Sequence, residues 1–239
     1  SLSGVIEKSS NVGASKIALS LDSDALWKSF RRVGFTEQTG IRLNGESVGR
    51  LDKPENWQDI EKATLAFGYG LSINALQLAR AYTVFANDGV LAPLSITLVD
   101  EVPEYERVLS AKTAKAVRRM LQRVTTVGTG KAAQVEGYLV AGKTGTVHKS
   151  TREGYAEDRY LSLFAGMIPA SDPRLVAVVM IDEPRVGGHY GGIVAAPVFA
   201  SVMHEAVRIL NISPDDYENK KPSVDDLRVA DHAAGATVQ

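Results

Sequence analysis

Apolar residues in the first half of the chain recur at helical spacing, whereas three segments of the second half alternate or run on as strands do. Leu2, Val5 and Ile6 predict a helix already under way at the first residues, and Val12, Ile17, Ala18 and Leu21 carry another over residues 11–21. Leu26, Trp27 and Phe30 mark a third. Gly34, Gly40, Gly45 and Gly49 punctuate a loop-rich stretch that lasts until Trp57. After Gly68-Tyr69-Gly70 comes an amphipathic helix over about 73–86, with Leu78, Tyr82 and Phe85 as its apolar face and Asn87-Asp88-Gly89 as its stop.

Residues 94–102 read as a strand, and Ser110 as the N-cap of a helix that turns Val117, Met120, Leu121 and Val124 to one side. Three strands follow, at 137–148, 160–168 and 175–181, the last two joined by an Asp172-Pro173 turn. Pro197 opens a closing helix with Val198, Val202 and Ile209 expected inward. Trp27, Phe30, Trp57 and Phe85 are expected in the core. The pattern predicts an α+β domain over residues 1–210, an antiparallel sheet flanked by helices. Residues 211–239 are charged, contain proline and lack large apolar groups, as a loosely held tail would.

Composition narrows the chemistry. The 239 residues carry a formal net charge of −1 with scattered Lys and Arg, so nothing suggests nucleic-acid binding. Cysteine is absent, which removes disulfides, thiol nucleophiles and thiolate metal sites. His148, His189, His204 and His232 have no metal-binding spacing, and no cofactor is implied. The longest continuous apolar run, residues 175–181, is too short to cross a bilayer. Gly128-Thr129-Gly130-Lys131 has the look of a phosphate loop but fails its pattern, because Ala132 stands where the metal-binding hydroxyl belongs. Its glycines are expected to cap the preceding helix or to form a mobile loop.

Lys143-Thr144-Gly145-Thr146 stands out, at the point where an apolar strand turns polar. In an extended segment Lys143 and Gly145 share one face and Thr144 and Thr146 the other. A cation, two hydroxyls and a residue without a side chain make a surface against which a substrate backbone can lie and its carboxylate bind. Ser9-Ser10-Asn11 is the second candidate. A hydroxyl at Ser9 can pass a proton and an amide at Asn11 can hold a peptide, although both residues also suit a helix N-cap. The order Ser-x-Asn, then Lys-Thr-Gly, is that of the penicillin-binding proteins and class A β-lactamases.

The likeness extends beyond these motifs to Ala63–Leu71 with Tyr69 and Gly70, to Gln77-Leu78-Ala79-Arg80-Ala81-Tyr82, to Pro93-Leu94-Ser95-Ile96-Thr97, to Ala165-Gly166 and to Ala196-Pro197-Val198-Phe199. Over nearly all of residues 1–212 the chain resembles the class B penicillin-binding proteins, in particular the Gram-negative septal transpeptidases of the penicillin-binding protein 3 type. The resemblance implies a penicillin-binding and serine β-lactamase-like transpeptidase fold, present in part. It implies a peptidoglycan D,D-transpeptidase that cross-links stem pentapeptides through an acyl-serine and is acylated by β-lactam antibiotics. Ser9 and Asn11 match the family's second motif, and Lys143, Thr144, Gly145 and Thr146 the third, with the Thr146 N–H as half of an oxyanion hole.

Tyr69 matches a cleft tyrosine, although an aromatic between two glycines equally suits core packing. Tyr160, His189 and Tyr190 fall on the aromatic wall, and His148 where relatives carry a basic residue. His189 departs from the tyrosine that some relatives carry there. The family's Ser-x-x-Lys occurs nowhere in this sequence. The expectation is therefore the C-terminal part of a larger domain, whose N-terminal part brings the nucleophile. By the same resemblance the intact protein is anchored in the inner membrane, faces the periplasm at the division septum, and partners a septal glycosyltransferase and other divisome proteins. The competing readings are a serine β-lactamase or β-lactam sensor, which would differ in letting water deacylate the serine, and a non-catalytic scaffold of the same fold.

Overall fold

The computed structural model describes residues 1–100, 105–151 and 154–215. In chain order the elements are α1 (Leu2–Glu7), α2 (Asn11–Ser20), α3 (Ser23–Arg32), β1 (Arg50–Leu51), α4 (Asp59–Leu65), β2 (Leu71–Ser72), α5 (Ala75–Ala86), β3 (Val90–Leu91), β4 (Glu106–Arg107), α6 (Ala111–Thr126), β5 (Ala141–Thr151), β6 (Gly154–Ile168), β7 (Leu175–Asp182), α7 (Gly191–Val194) and α8 (Ala196–Ile209). The fold is α+β, as expected, with an antiparallel sheet and helices. Its described residues divide into two compact units, one made of those in 1–10 and 116–215 and the other of those in 11–115.

The first unit is built on an antiparallel sheet in the order β5-β6-β7. The register sets Gly142 opposite Gly166, Thr144 opposite Phe164, Thr146 opposite Ser162 and His148 opposite Tyr160, while Phe164 in turn faces Val179 of β7. Directly opposed residues share a face, so the even-numbered residues of β5 and β6 lie together. Phe164 and Ile168 on that face are fully buried against Phe199, Met203 and Val207 of α8, with Val140 and Ala196 closing the core. The Phe164 and Phe199 rings meet at 4.8 Å and 60°. Each such buried side chain contributes roughly 1.5–3 kcal/mol of transfer free energy. The residues opposed at Gly142 and Gly166 leave the space that the Phe164 ring fills: a Cβ on Gly142 would lie 2.5 Å from Phe164 Cζ.

The register breaks after His148, where the partner of Ser150 is Tyr155. Beyond the sheet, Tyr138 Oη donates to the Ile212 carbonyl at 2.6 Å, and the Asp215 carboxylate accepts from the Leu139 N–H at 2.6 Å and from the Ser171 hydroxyl. The chain thus stays fastened as far as Asp215, past the point where the tail was expected to loosen. Residues 216–239 of that tail lie outside the described residues. The helical stretch Gly191–Ile209 is long and apolar enough, by length and composition alone, to cross a membrane. Its buried Phe199, Met203 and Val207 pack on the sheet instead.

That packing corrects the expected face of α8. Val198, Val202 and Ile209 are exposed, and the inward line runs through Ala196, Phe199, Met203 and Val207. Both lines have helical spacing. The aromatic ring of Phe199, with its larger apolar area, decides which one turns to the sheet. By contrast α6 keeps its expected face, with Met120, Leu121 and Val124 buried.

In the second unit α2 packs on α4, and Ser15 Oγ donates to the Ala63 carbonyl at 3.1 Å. Asn74 and Gln77 form a capping box at the start of α5, and the buried Gln77 amide also donates to the carbonyls of Glu37 at 2.7 Å and Val48 at 3.0 Å. The buried line of α5 is Gln77, Ala81 and Val84, one residue away from the expected Leu78, Tyr82 and Phe85. A polar residue takes a core position because its amide satisfies loop carbonyls that would otherwise be unpaired. Val84, Leu91 and Val108 make a small core. Trp27, Phe30, Trp57 and Phe85 are half-buried rather than fully enclosed.

Ser110 caps α6 as expected, accepting from the Thr113 N–H at 3.1 Å. The expected strand at 94–102 does not form over its described part. The Ser95 hydroxyl donates to the Thr97 carbonyl at 2.6 Å and accepts from its N–H at 3.2 Å, a local closure that competes with strand pairing. The ladder nearby is instead β3 with β4, Val90 opposite Arg107.

Candidate active site

Among the described residues β5 is an edge of its sheet, so alternate backbone groups along it have no strand partner there on the outer side. The Lys-Thr-Gly-Thr motif lies on this edge. Lys143 Nζ donates to Ser9 Oγ at 2.7 Å and to the Thr144 carbonyl at 3.0 Å, and it lies 3.4 Å from Thr144 Oγ1. Burial lowers the Lys143 pKa from the ordinary lysine value to about 8.

Ser9 reaches Lys143 from a strained backbone. After α1 ends, the Ser9 N–H bonds the Ile6 carbonyl at 3.2 Å and the Ser10 N–H bonds the Val5 carbonyl at 2.9 Å. This is a helix C-terminal closure whose left-handed position, φ 53°, is held by Ser9. Glycine is the usual residue there, and a side chain costs on the order of 1 kcal/mol or more. The hydroxyl thereby aimed at Lys143 is what a glycine would lack. Glu7 secures the same helix end: its Oε2 accepts from Arg123 Nε at 2.8 Å and Nη2 at 2.6 Å, which ties α1 to α6.

Thr144 and Thr146 share the opposite face, as strand alternation predicts, and both are already engaged. Thr144 Oγ1 lies 2.8 Å from Thr129 Oγ1, and Thr146 Oγ1 accepts from the Gly191 N–H at 3.0 Å. Gly145 is needed for its small size, because a Cβ there would come within 2.8 Å of the Leu163 side chain. The start of α7 approaches just as closely. A Cβ on Gly191 would fall 2.3 Å from the Leu163 carbonyl oxygen and 2.4 Å from that of Gly145, and one on Gly192 would fall 2.4 Å from that of Thr129.

Four rings form a continuous column beside this edge. His148 meets Tyr160 at 4.6 Å, Tyr160 stacks on His189 at 3.9 Å and 9°, and His189 meets Tyr190 at 4.5 Å. His148 Nδ1 is 2.7 Å from the Ala156 carbonyl, and Tyr160 Oη donates to the Glu157 carbonyl at 3.0 Å. The buried Ser162 hydroxyl donates to the His189 carbonyl, fixing the loop that carries both His189 and Tyr190. At the same end of the sheet Lys149 pairs with Asp182 and Glu183, each at 2.8 Å.

Of the residues singled out in the sequence, Ser9, Lys143, Thr144, Gly145, Thr146, His148, Tyr160, His189 and Tyr190 all belong to the first unit. The other two belong to the second. Asn11 is the first residue of α2, inside the helix rather than capping it, and Tyr69 follows α4 with its ring edge-on to Phe67 at 5.8 Å. Sequence reasoning missed Thr129, Ser162, Gly191 and Gly192. Thr129 sits in the glycine stretch set aside as a failed phosphate loop. Its neighbours do cap α6, with the Gly128 N–H on the Arg123 carbonyl at 3.0 Å and the Gly130 N–H on the Val124 carbonyl at 2.9 Å.

The arrangement joins an anion-binding cation, hydroxyls on an open strand edge and an aromatic wall, a set suited to an extended peptide that ends in a carboxylate. Known proteins are similar to most of this chain. The chain is 43% identical over 215 residues to the peptidoglycan D,D-transpeptidase FtsI of Escherichia coli K12, an overlap of 90% of this chain and 37% of that protein. It is 42% identical over 226 residues to the probable peptidoglycan D,D-transpeptidase PbpC of Pseudomonas aeruginosa, covering 94% of this chain and 40% of that protein. It therefore spans about two fifths of the length of these curated relatives. The apo transpeptidase domain of Burkholderia pseudomallei penicillin-binding protein 3 matches with a TM-score of 0.85 at 43% identity, over 90% of this chain and 66% of that one. Residues 1–204 match the penicillin binding protein transpeptidase domain family, so the chain belongs to that family.

Proposed function

We propose that this chain supplies the substrate-binding edge and the proton-relay half of a peptidoglycan D,D-transpeptidase that acts in septal wall synthesis and is a target of β-lactam antibiotics. The observation that carries the reading is the 2.7 Å bond from Lys143 Nζ to Ser9 Oγ. A lysine that fills a lone pair of a serine hydroxyl leaves that hydroxyl's proton available for another acceptor.

In the proposed reaction a serine outside this chain attacks the carbonyl of the penultimate D-Ala, and the peptide bond to the terminal D-Ala breaks. The leaving amine needs a proton, and the one given up by the attacking serine reaches it through Ser9, which Lys143 holds in place. The released D-Ala is replaced by the amine of a second stem peptide, which attacks the acyl-serine and forms the cross-link. Until the peptide bond to the terminal D-Ala breaks, its carboxylate is held by the Lys143 charge and by the Thr144 and Thr146 hydroxyls. Thr146 keeps its own O–H for this task because the Gly191 N–H occupies only a lone pair.

Strand parity supports an oxyanion role for the Thr146 N–H. The Thr144 carbonyl accepts from Lys143, and residues two apart on a strand turn their backbone groups to the same side. A developing oxyanion on that side gains a preorganised donor. The column of His148, Tyr160, His189 and Tyr190 receives the flat side chain of a bound peptide or antibiotic. The intact protein is placed in the inner membrane with this part in the periplasm at the septum, alongside a septal glycosyltransferase and other divisome proteins.

The test is covalent labelling of the intact protein by fluorescent penicillin. The wild type is expected to label and to hold the label for hours, and Lys143→Ala to lose most of it. Labelling that is unchanged in Lys143→Ala contradicts the assigned site, and rapid turnover of the antibiotic points to a β-lactamase.

A further inference from the structure

Thr129 lies outside both sequence motifs, yet its hydroxyl meets the Thr144 hydroxyl at 2.8 Å. The contact has a purpose-built frame. The N–H groups of Gly128 and Gly130 close the end of α6 on the Arg123 and Val124 carbonyls, which leaves Thr129 projecting between them. A Cβ on Gly128 would lie 2.5 Å from the Glu7 carbonyl oxygen and one on Gly192 2.4 Å from that of Thr129, so a small residue within this loop and another at the start of α7 leave room for it. Together the polar atoms make a line, Ser9 Oγ, Lys143 Nζ, Thr144 Oγ1 and Thr129 Oγ1, with successive separations of 2.7, 3.4 and 2.8 Å.

We propose that Thr129 is a positioning residue for recognition of the substrate carboxylate, acting through Thr144. The idea rests on the transpeptidase reading above and deepens it. A threonine hydroxyl has one proton and two lone pairs. Lys143 can only donate to Thr144 Oγ1, which occupies one lone pair. With Thr129 donating as well, both lone pairs are filled, and the single Thr144 proton is directed out of the network toward an incoming carboxylate. Without Thr129 the second lone pair is empty and the Thr144 hydroxyl is free to rotate. Its proton then has to be oriented at the moment of binding.

The experiment measures acylation of the intact protein by benzylpenicillin, whose carboxylate stands in for that of the stem peptide, and by its methyl ester, which lacks the charge. Thr129→Val keeps the side-chain shape and removes the hydroxyl; Thr129→Ser keeps the hydroxyl. Thr129→Val is expected to lower the second-order acylation rate for benzylpenicillin by roughly tenfold, the size of one hydrogen bond to a charged partner. Thr129→Ser is expected to restore it, and the ester rate is expected to stay at the wild-type level in both variants.

Equal losses for acid and ester would show that Thr129 only supports the loop, and a Thr129→Val rate equal to wild type would remove the role altogether. A wild-type protein that benzylpenicillin does not acylate would overturn the transpeptidase reading and this one together. A labelled wild type with an indifferent Thr129→Val overturns this one alone.

Discussion

Tyr160 and His189 stack with their ring centroids 3.9 Å apart and their planes within 9°, joining the middle of β6 to the loop before α7. The stack is the centre of the ring column, and the Ser162 hydroxyl on the His189 carbonyl holds the loop in place from below. Such an aromatic contact is worth about 0.5–1.5 kcal/mol beyond the area it buries. His189→Ala is expected to lower the melting temperature by ~2–4 °C. His189→Tyr, which keeps a stacking ring, is expected to leave it near wild type, and differential scanning calorimetry distinguishes the two.

The inward face of α8 is fixed by Phe199, Met203 and Val207 rather than by Val198 and Val202. Phe199→Ala should therefore cost about 3–5 kcal/mol through the cavity it leaves against Phe164. Val198→Ala, on the exposed side, should stay within about 0.5 kcal/mol of wild type. Urea denaturation of the two variants checks the register of the helix directly.

These two results bear on how much could be read from the sequence. The three strands were legible because their β-branched and alternating residues report sheet burial locally. The Lys143–Thr146 edge and Ser9, which the structure brings together, were legible because the two short motifs stand out in the sequence by residue type. The faces of α5 and α8 were not, because α8 carries two apolar lines of helical spacing and the buried line of α5 includes the polar Gln77. The choice is made by partners distant in sequence: Phe164 for Phe199, and the carbonyls of Glu37 and Val48 for Gln77. The same holds for Thr129, whose meaning comes only from its contact with Thr144. A strand at 94–102 looked plausible by pattern alone, and the Ser95–Thr97 closure shows how one hydroxyl diverts such a segment.

The crowding at the start of α7 yields another expectation. A methyl group at Gly192 would press on the Thr129 carbonyl oxygen from 2.4 Å, which the backbone must relieve by shifting. Overpacking of this kind costs typically about 1–3 kcal/mol. Gly192→Ala should therefore lose stability in urea by that amount, and the Thr129 loop should become more accessible to hydrogen exchange than in wild type.

Lys143 gives the site a pH signature. Burial lowers its pKa to about 8, below the value it has when unfolded. The unfolded chain therefore binds more protons than the folded one at pH values above about 8 and up to the ordinary lysine pKa, and stability contributed by this group rises with pH across that window. The cost of burying the charged ammonium is fully present below it. Activity should move the other way: carboxylate binding needs the ammonium, so acylation by benzylpenicillin should fall as pH rises through about 8. Lys143→Met should abolish the stability rise, and a pH series of urea titrations beside a pH–rate profile separates the two effects.

The central claim is that Ser9 and Lys143 act as a single proton-handling unit on the edge of β5. A double-mutant cycle on the acylation rate of the intact protein, with Ser9→Ala, Lys143→Ala and both together, tests it most directly. Each single variant should lose at least about tenfold, as a hydrogen bond to a charged group implies. The double variant should lose little more than the worse of the two. Losses that simply multiply would contradict the claim, because they would mean that the two side chains contribute independently.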